Sequence, residues 1–160
     1  MHISEREQDL PDQLIEELLQ ISAERKDILS LGPGEPDFPL PKPLVSEIKK
    51  LANKVNHYAP PGGFLSLRQA ICKKLKKENK ITALPENVVV TSGSQEALMI
   101  ATACTLDVSE EIIIPSPGYM SYLPTIELFN ASPVFVELKE ENHYEIDPDD
   151  ICKVIRPKKT

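Results

Sequence analysis

The stretch VVVTSGSQE, from Val88 to Glu96, places a β-branched apolar run directly before a helix signal. The apolar run predicts a short strand over Val88–Thr91, and the pattern that follows predicts a helix over Ser94–Leu106. A helix that begins directly after a strand gathers several unpaired backbone N–H groups and the positive end of the helix dipole at one turn. Ser92 is the expected N-cap, with Gln95 at the third position of a capping box. Such a turn can bind a phosphate group.

The composition is that of a globular protein and excludes several classes of function. The chain has 160 residues, of which 41% are hydrophobic and 27% charged, so it can form one domain with a core. The net charge of −7 argues against nucleic acid as the main partner, because a phosphate backbone requires a basic surface. No apolar run approaches the roughly 20 residues of a membrane span, and the first residues, MHISEREQDL, lack the apolar core that is expected of a secretory signal.

The potential metal ligands and nucleophiles form no reactive pattern. Three cysteines, Cys72, Cys104 and Cys152, are far apart and odd in number, which predicts neither a disulfide framework nor a metal site. Cys72 and Cys104 lie among apolar helical residues and are expected to be buried thiols. His57 and His143 have no partner for metal or nucleophilic chemistry. The expected compartment is the reducing cytoplasm.

Hydrophobic periodicity predicts helices and strands along most of the chain. The predicted helices cover Pro11–Arg25, Leu44–Val55, Leu65–Lys77, Ser94–Leu106, Tyr119–Phe129 and Pro148–Ile155, and the predicted strands cover Val88–Thr91, Glu111–Pro115 and Pro133–Leu138. Strands that alternate with helices indicate a parallel α/β sheet with crossover helices. We expect residues 1–42 to form a helix and an extended proline-rich connector, and residues 43–160 to form an α/β body with an incomplete sheet.

Four motifs carry a resemblance to a known family. They are LSLGPGEPDF at Leu29–Phe38, HYAPPGGFLSLRQAI at His57–Ile71, VVVTSGSQE at Val88–Glu96 and IIIPSPGYMSY at Ile112–Tyr122. In this order and at these intervals they resemble the N-terminal part of the class I/II pyridoxal-phosphate (PLP) aminotransferases of fold type I, and within them the aspartate aminotransferases. The resemblance implies the large PLP-binding domain of that fold, a three-layer α/β/α structure with a mainly parallel sheet, of which residues 43–160 would be the first part.

The resemblance assigns roles to residues around the cofactor. Gly93, Ser94 and Gln95 match the turn that binds the cofactor phosphate, in agreement with the helix N-terminus expected there. Tyr119 matches an aromatic residue that stacks on the cofactor ring, where many relatives have Trp or Phe. Tyr122, three residues later, is expected to pack in the core.

The resemblance also implies that two further residues contact the substrate and a second subunit. Tyr58 matches a tyrosine whose hydroxyl reaches the PLP phosphate of the neighbouring subunit, which implies a homodimer with a shared active site. Gly34 matches a backbone position that approaches the substrate carboxylate, and a glycine permits such an approach. Arg68 could be mistaken for a phosphate ligand, but its place one turn into an amphipathic helix favours a structural ion pair.

The remaining groups that the resemblance implies are not matched in this sequence. They are the Schiff-base lysine, an aspartate for the pyridine nitrogen, an asparagine near the cofactor's phenolic oxygen and an arginine for the substrate carboxylate. We expect the Schiff-base lysine to lie beyond Thr160, so that no catalytic residue is assigned within these 160 residues.

The sequence is therefore interpreted as the N-terminal part of an aminotransferase that moves an amino group from an L-amino acid to a 2-oxo acid, inactive alone. Lyases and decarboxylases of the same fold share these motifs. The alternative is a short non-catalytic paralogue that binds a partner subunit or a phosphate ligand.

Overall fold

The computed structural model describes residues 14–31, 34 and 36–157. Within this range the chain divides into two compact units, one that extends to Val90 and one that begins at Thr91. The units are groups of residues in mutual contact, and the expected domains at residues 1–42 and 43–160 stay a prediction. In the described part of the chain, no helix has both the length and the apolar character needed to cross a membrane.

The unit that extends to Val90 is built from helices and turns. Its α-helices are α1 (Leu14–Glu24), α2 (Lys42–Leu51) and α3 (Leu65–Lys74), and its shorter turns are Ala52–Lys54, the π-helical Leu75–Asn79 and Pro85–Asn87. A proline stands in the first turn of α2, where its missing N–H group costs nothing. The three predicted helices are therefore confirmed in the part of the chain that the structure describes, with ends that differ by a few residues.

The turn before α3 is held by hydrogen bonds to its backbone carbonyls from another backbone group and from the side chain of Arg68. The backbone N–H of Val90 donates to the carbonyl of Gly62 at 3.2 Å. Arg68 donates from Nε to the carbonyl of Gly63 at 3.2 Å and from its terminal nitrogen to the carbonyl of Pro85 at 2.9 Å. The prediction of an ion pair for Arg68 is therefore wrong, because its donors serve two carbonyls that the neighbouring turns direct towards it.

The unit that begins at Thr91 is a small parallel α/β structure. Its elements are α4 (Gly93–Thr105), β1 (Glu111–Ser116), α5 (Tyr122–Leu128), β2 (Ser132–Glu137), the short turn Glu140–Asn142 and α6 (Pro148–Val154). The two strands pair in parallel, with Glu111 opposite Ser132 and Ser116 opposite Glu137. Ile114, Ile126 and Ala131 form the buried cluster between strand and helix. The predicted parallel α/β arrangement is confirmed for these residues.

Three local predictions need correction. Val88–Thr91 is not a strand: among the described residues the sheet contains only β1 and β2, and Val90 bonds to a loop carbonyl instead of a strand. An apolar run forms a strand only where another strand supplies a ladder of hydrogen bonds.

The helix predicted from Tyr119 begins at Tyr122, so Tyr119 lies in the preceding turn. Cys104 is exposed and Cys72 is half-buried, so the prediction of two buried thiols is wrong.

Candidate functional site

The first turn of α4 is open to solvent and contains a backbone position that favours glycine. Gly93, the first residue of this 13-residue helix, has φ of 83°, in the left-handed region that residues with a side chain rarely adopt. Among the described residues, no atom apart from those of the adjacent residues and of the α4 backbone lies within 4 Å of the place where a Cβ would stand at Gly93. Ser94 and Gln95 follow, both exposed. The backbone N–H groups of this turn have no partner inside the helix, so they are available to an anion.

The cap of α4 differs from the predicted capping box. Ser92 is the N-cap as expected, but at φ −80° and ψ 70° its side chain makes no capping hydrogen bond. These angles lie outside the extended region from which an N-cap hydroxyl reaches the helix. The carboxylate of Glu96 accepts the backbone N–H of Ser92 instead. Gln95 is therefore not used in the cap, and its side chain is free for another contact.

That contact is made with Tyr119. The Tyr119 hydroxyl donates to the Oε1 atom of Gln95 at 3.3 Å. Its ring meets the ring of Tyr122 edge to face, with centroids 5.5 Å apart and an angle of 83° between the planes. Tyr122 in turn packs against the buried cluster, as predicted for this residue. The structure thus brings together two predicted site residues, Gln95 and Tyr119, that stand 24 positions apart.

The turn that carries Tyr119 is tightly closed. It follows β1 and contains a cis peptide bond between Ser116 and Pro117. A Cβ at Gly118 would stand 2.3 Å from the carbonyl oxygen of Pro115, so the turn requires a glycine there. Tyr119 follows directly and is half exposed. In a parallel sheet, ligands bind beyond the carboxyl ends of the strands, which is where this residue lies.

The other predicted site residues belong to the unit that extends to Val90. Tyr58 is fully exposed, and among the described residues no atom apart from those of its chain neighbours lies within 4 Å of the place where a Cβ would stand at Gly34. Their predicted roles, towards a neighbouring subunit and a substrate carboxylate, stay predictions. Gly34 is described alone within its motif, since residues 32, 33 and 35 lie outside the described ranges.

The catalytic lysine that the resemblance implies is not placed by the structure. It is expected beyond Thr160, and Thr160 itself lies outside the described residues together with Lys158 and Lys159. The expectation of a Schiff-base lysine beyond Thr160 therefore stays a prediction. Within residues 14–31, 34 and 36–157, no group of three or more His, Cys, Asp and Glu side chains is arranged to hold a metal ion.

The turn from Gly93 to Gln95 fits a phosphate monoester. Open space above Gly93, the positive end of the α4 dipole and free backbone N–H groups all favour a dianion. The Ser94 hydroxyl has no hydrogen-bond partner among the described residues, so it can donate to a phosphate oxygen. The sequence did not predict that Glu96 would complete the N-terminal cap of α4 by accepting the backbone N–H of Ser92. Its spacing of four residues from Ser92 is the signal that sequence reasoning could have used.

Comparison with known proteins identifies the family. The sequence profile described as "Aminotransferase class I and II" matches residues 26–160. The chain is 35% identical over 160 residues to the aromatic-amino-acid aminotransferase 2 of Thermococcus litoralis, covering 99% of this chain and 41% of that protein. It is 37% identical over 146 residues to the aspartate aminotransferase of Pyrococcus abyssi, covering 90% of this chain and 38% of that protein.

Comparison with solved structures supports the same family at the level of the fold. The aspartate aminotransferase from Thermus thermophilus with maleate is similar with a TM-score of 0.90 at 28% identity, covering 100% of this chain and 43% of that one. A Pyrococcus protein, A1, is similar with a TM-score of 0.87 at 36% identity, covering 94% of this chain and 39% of that one. The chain thus spans about two fifths of the length of these relatives. The expected fold class is confirmed, and the chain belongs to the class I and II aminotransferase family.

Proposed function

We propose that this chain supplies the phosphate-binding turn and a ring contact of a PLP-dependent aminotransferase, which transfers an amino group from an L-amino acid to a 2-oxo acid. The observation that carries the proposal is the open first turn of α4, to which Tyr119 is joined through Gln95. Family membership supplies the reaction class. The names of the relatives, aspartate and aromatic-amino-acid aminotransferases, favour acidic or aromatic amino acids as donors.

Each residue of the proposed site has a separate physical task. The backbone N–H groups from Gly93 onward and the Ser94 hydroxyl bind the phosphate, and the helix dipole stabilises its negative charge. The Tyr119 ring covers one face of the cofactor ring, a contact worth about 0.5–1.5 kcal/mol beyond the buried area. When bound, PLP supplies an electron sink for the substrate's α-carbon. These residues hold the cofactor and perform no proton transfer themselves.

The remaining parts of the proposal concern assembly and location. We place the Tyr58 hydroxyl on the cofactor phosphate of a second subunit, so that the enzyme is a homodimer with a shared site. Its full exposure in this chain is consistent with a contact to another molecule. Gly34, where an added Cβ would contact no atom of the described residues outside its own chain neighbours, is placed beside the substrate carboxylate. The three free cysteines are consistent with a reducing, cytoplasmic location.

Binding of pyridoxine 5′-phosphate and of pyridoxine tests the phosphate assignment. Neither probe has an aldehyde, so neither reacts with surface lysines. We expect the protein to bind the phosphorylated probe at least about 10-fold more tightly, because charge-assisted hydrogen bonds to the turn are each worth roughly 1.5–3 kcal/mol. Ser94→Ala should reduce that preference by about 10-fold, the lower end of the range for one such bond.

The control is Ser66→Ala, which removes an exposed serine hydroxyl from α3 and should leave both affinities unchanged. Isothermal titration calorimetry measures the two dissociation constants for each protein. Equal binding of the two probes by the unmodified protein would contradict the proposed function. So would a Ser94→Ala variant that keeps the full preference for the phosphorylated probe.

A further inference from the structure

We propose that the hydroxyl of Tyr119 is a positioning group that orients the side-chain amide of Gln95 for contact with the cofactor phosphate. The residue placed against the cofactor ring thereby also determines which end of that amide faces the phosphate. The inference rests on the proposed function and deepens it. It concerns the hydroxyl alone, since a phenylalanine at the same place would keep the ring contact and lose the link to the turn.

The argument begins with the two ends of a glutamine amide. The amide oxygen only accepts hydrogen bonds, and the amide NH₂ only donates them. A phosphate dianion is attracted by the NH₂ and repelled by the oxygen. In the structure the oxygen is held by the Tyr119 hydroxyl at 3.3 Å, which leaves the NH₂ as the group available to an anion. Gln95 is the third residue of α4, in the same turn as Ser94.

Tyr119 is itself oriented by the core. Its ring contacts the ring of Tyr122 nearly at right angles, with 5.5 Å between centroids. Tyr122 lies in the first turn of α5 and packs against Ile114, Ile126 and Ala131. A continuous set of contacts therefore runs from the buried cluster through both tyrosines to Gln95. The amide of an exposed residue thereby acquires a preferred orientation without contributing to the helix cap.

Without the hydroxyl, the amide can rotate and present either end to the phosphate. Tyr119→Phe keeps the ring and its contact with Tyr122, so it removes only the hydrogen bond. We expect pyridoxine 5′-phosphate to bind about 2- to 10-fold more weakly to this variant, the range for one neutral hydrogen bond. Pyridoxine should bind equally to both proteins. Tyr144→Phe, which removes a hydroxyl from another half-exposed tyrosine, should change neither affinity.

A double-mutant cycle separates positioning from direct contact. In a Gln95→Ala background, Tyr119→Phe should no longer weaken binding of the phosphorylated probe, because the group being oriented is gone. Gln95→Glu provides a second variant: it keeps an acceptor for the Tyr119 hydroxyl but has no donor, so the preference for phosphate should fall further. Thermal unfolding of each ligand-free variant reports whether it is folded.

The outcomes are distinguishable. An unchanged preference for phosphate in Tyr119→Phe overturns the inference. An equal loss for both probes, or a loss that persists in the Gln95→Ala background, overturns it too, because the hydroxyl would then act on the ring or on the fold. If the unmodified protein shows no preference for the phosphorylated probe, the proposed function has failed and not this inference alone.

Discussion

The adjacent glycines Gly62 and Gly63 differ in whether their backbone position could accept a side chain. Gly63 has φ of 89°, and a Cβ there would stand 2.6 Å from Cγ2 of Val90. At Gly62 a Cβ would meet no atom of the described residues within 4 Å apart from its chain neighbours, and the backbone is outside the left-handed region. Gly63→Ala therefore combines backbone strain with a collision, and we expect it to lower the free energy of unfolding by about 2 kcal/mol or more.

Gly62→Ala is the matched control, with an expected change within about 0.5 kcal/mol. Urea unfolding of the 160-residue protein, followed by circular dichroism, measures both values. Equal stabilities of the two variants would contradict the assignment of Gly63 as the constrained glycine. The two residues are indistinguishable in the sequence, because both belong to one PPGG turn signal.

At the scale of single residues, the motif predicted the helix N-terminus but not the hydrogen bonds around it. VVVTSGSQE predicted a helix N-terminus at Ser92, and the structure has it there. It could not show which side chain completes the cap, because Gln95 and Glu96 are both close enough in sequence to accept the backbone N–H of Ser92. The φ and ψ of Ser92 decide the matter, and those angles depend on how the preceding chain enters the helix. The bond from Tyr119 to Gln95 spans 24 residues and leaves no local signal.

Between elements, Arg68 joins α3 to the turns on either side of it in sequence. Its guanidinium donates to the carbonyls of Gly63 and Pro85, and its side chain is half-buried. Arg68→Ala leaves both carbonyls without this partner, so we expect a loss of about 1–3 kcal/mol in the free energy of unfolding. Gln69→Ala, the exposed next residue of α3, should change it by less than about 0.5 kcal/mol.

Denaturant unfolding measures both substitutions, and a second readout follows the turn itself. Amide hydrogen exchange at Val90, whose N–H is bonded to the carbonyl of Gly62, should accelerate in Arg68→Ala and not in Gln69→Ala. If Arg68→Ala is as stable as the unmodified protein, the two hydrogen bonds do not hold this turn. If Arg68→Ala weakened phosphate binding and left stability unchanged, this residue would be a phosphate ligand, which its place in the sequence does not favour.

Elements with their own periodicity were predictable, and the one that depends on a partner was not. Strands β1 and β2 lie within one residue of their predicted ends, because apolar strands bounded by polar residues are locally encoded. The run at Val88–Thr91 carries an equal signal but finds no neighbouring strand among the described residues. Strand pairing is a property of the sheet, so the sequence of one segment cannot establish it.

At the scale of the whole molecule, the lysines that the structure describes share one property that bears on PLP chemistry. Every lysine in the described ranges is exposed. A lysine becomes a good imine-forming nucleophile when burial or neighbouring positive charge lowers its pKa. Lys153 is affected in the opposite direction: a side-chain hydrogen bond to Asp150, 2.6 Å from Nζ, raises the pKa of Lys153. It remains an ammonium group at neutral pH and is a poor nucleophile.

We therefore expect the 160-residue polypeptide to react with PLP without selecting one lysine. Borohydride reduction followed by peptide mapping should give low labelling spread over several exposed lysines, each well below one equivalent. Lys153→Ala should leave the labelling pattern of the other sites unchanged.

Stoichiometric labelling of a single lysine, including Lys158 or Lys159 outside the described residues, would show that the chain itself provides the imine site. It would contradict the prediction that this lysine lies beyond Thr160. A dispersed pattern combined with tight binding of pyridoxine 5′-phosphate would mean that these 160 residues bind the phosphate group without a selectively reactive lysine, so that phosphate binding and imine formation are separable.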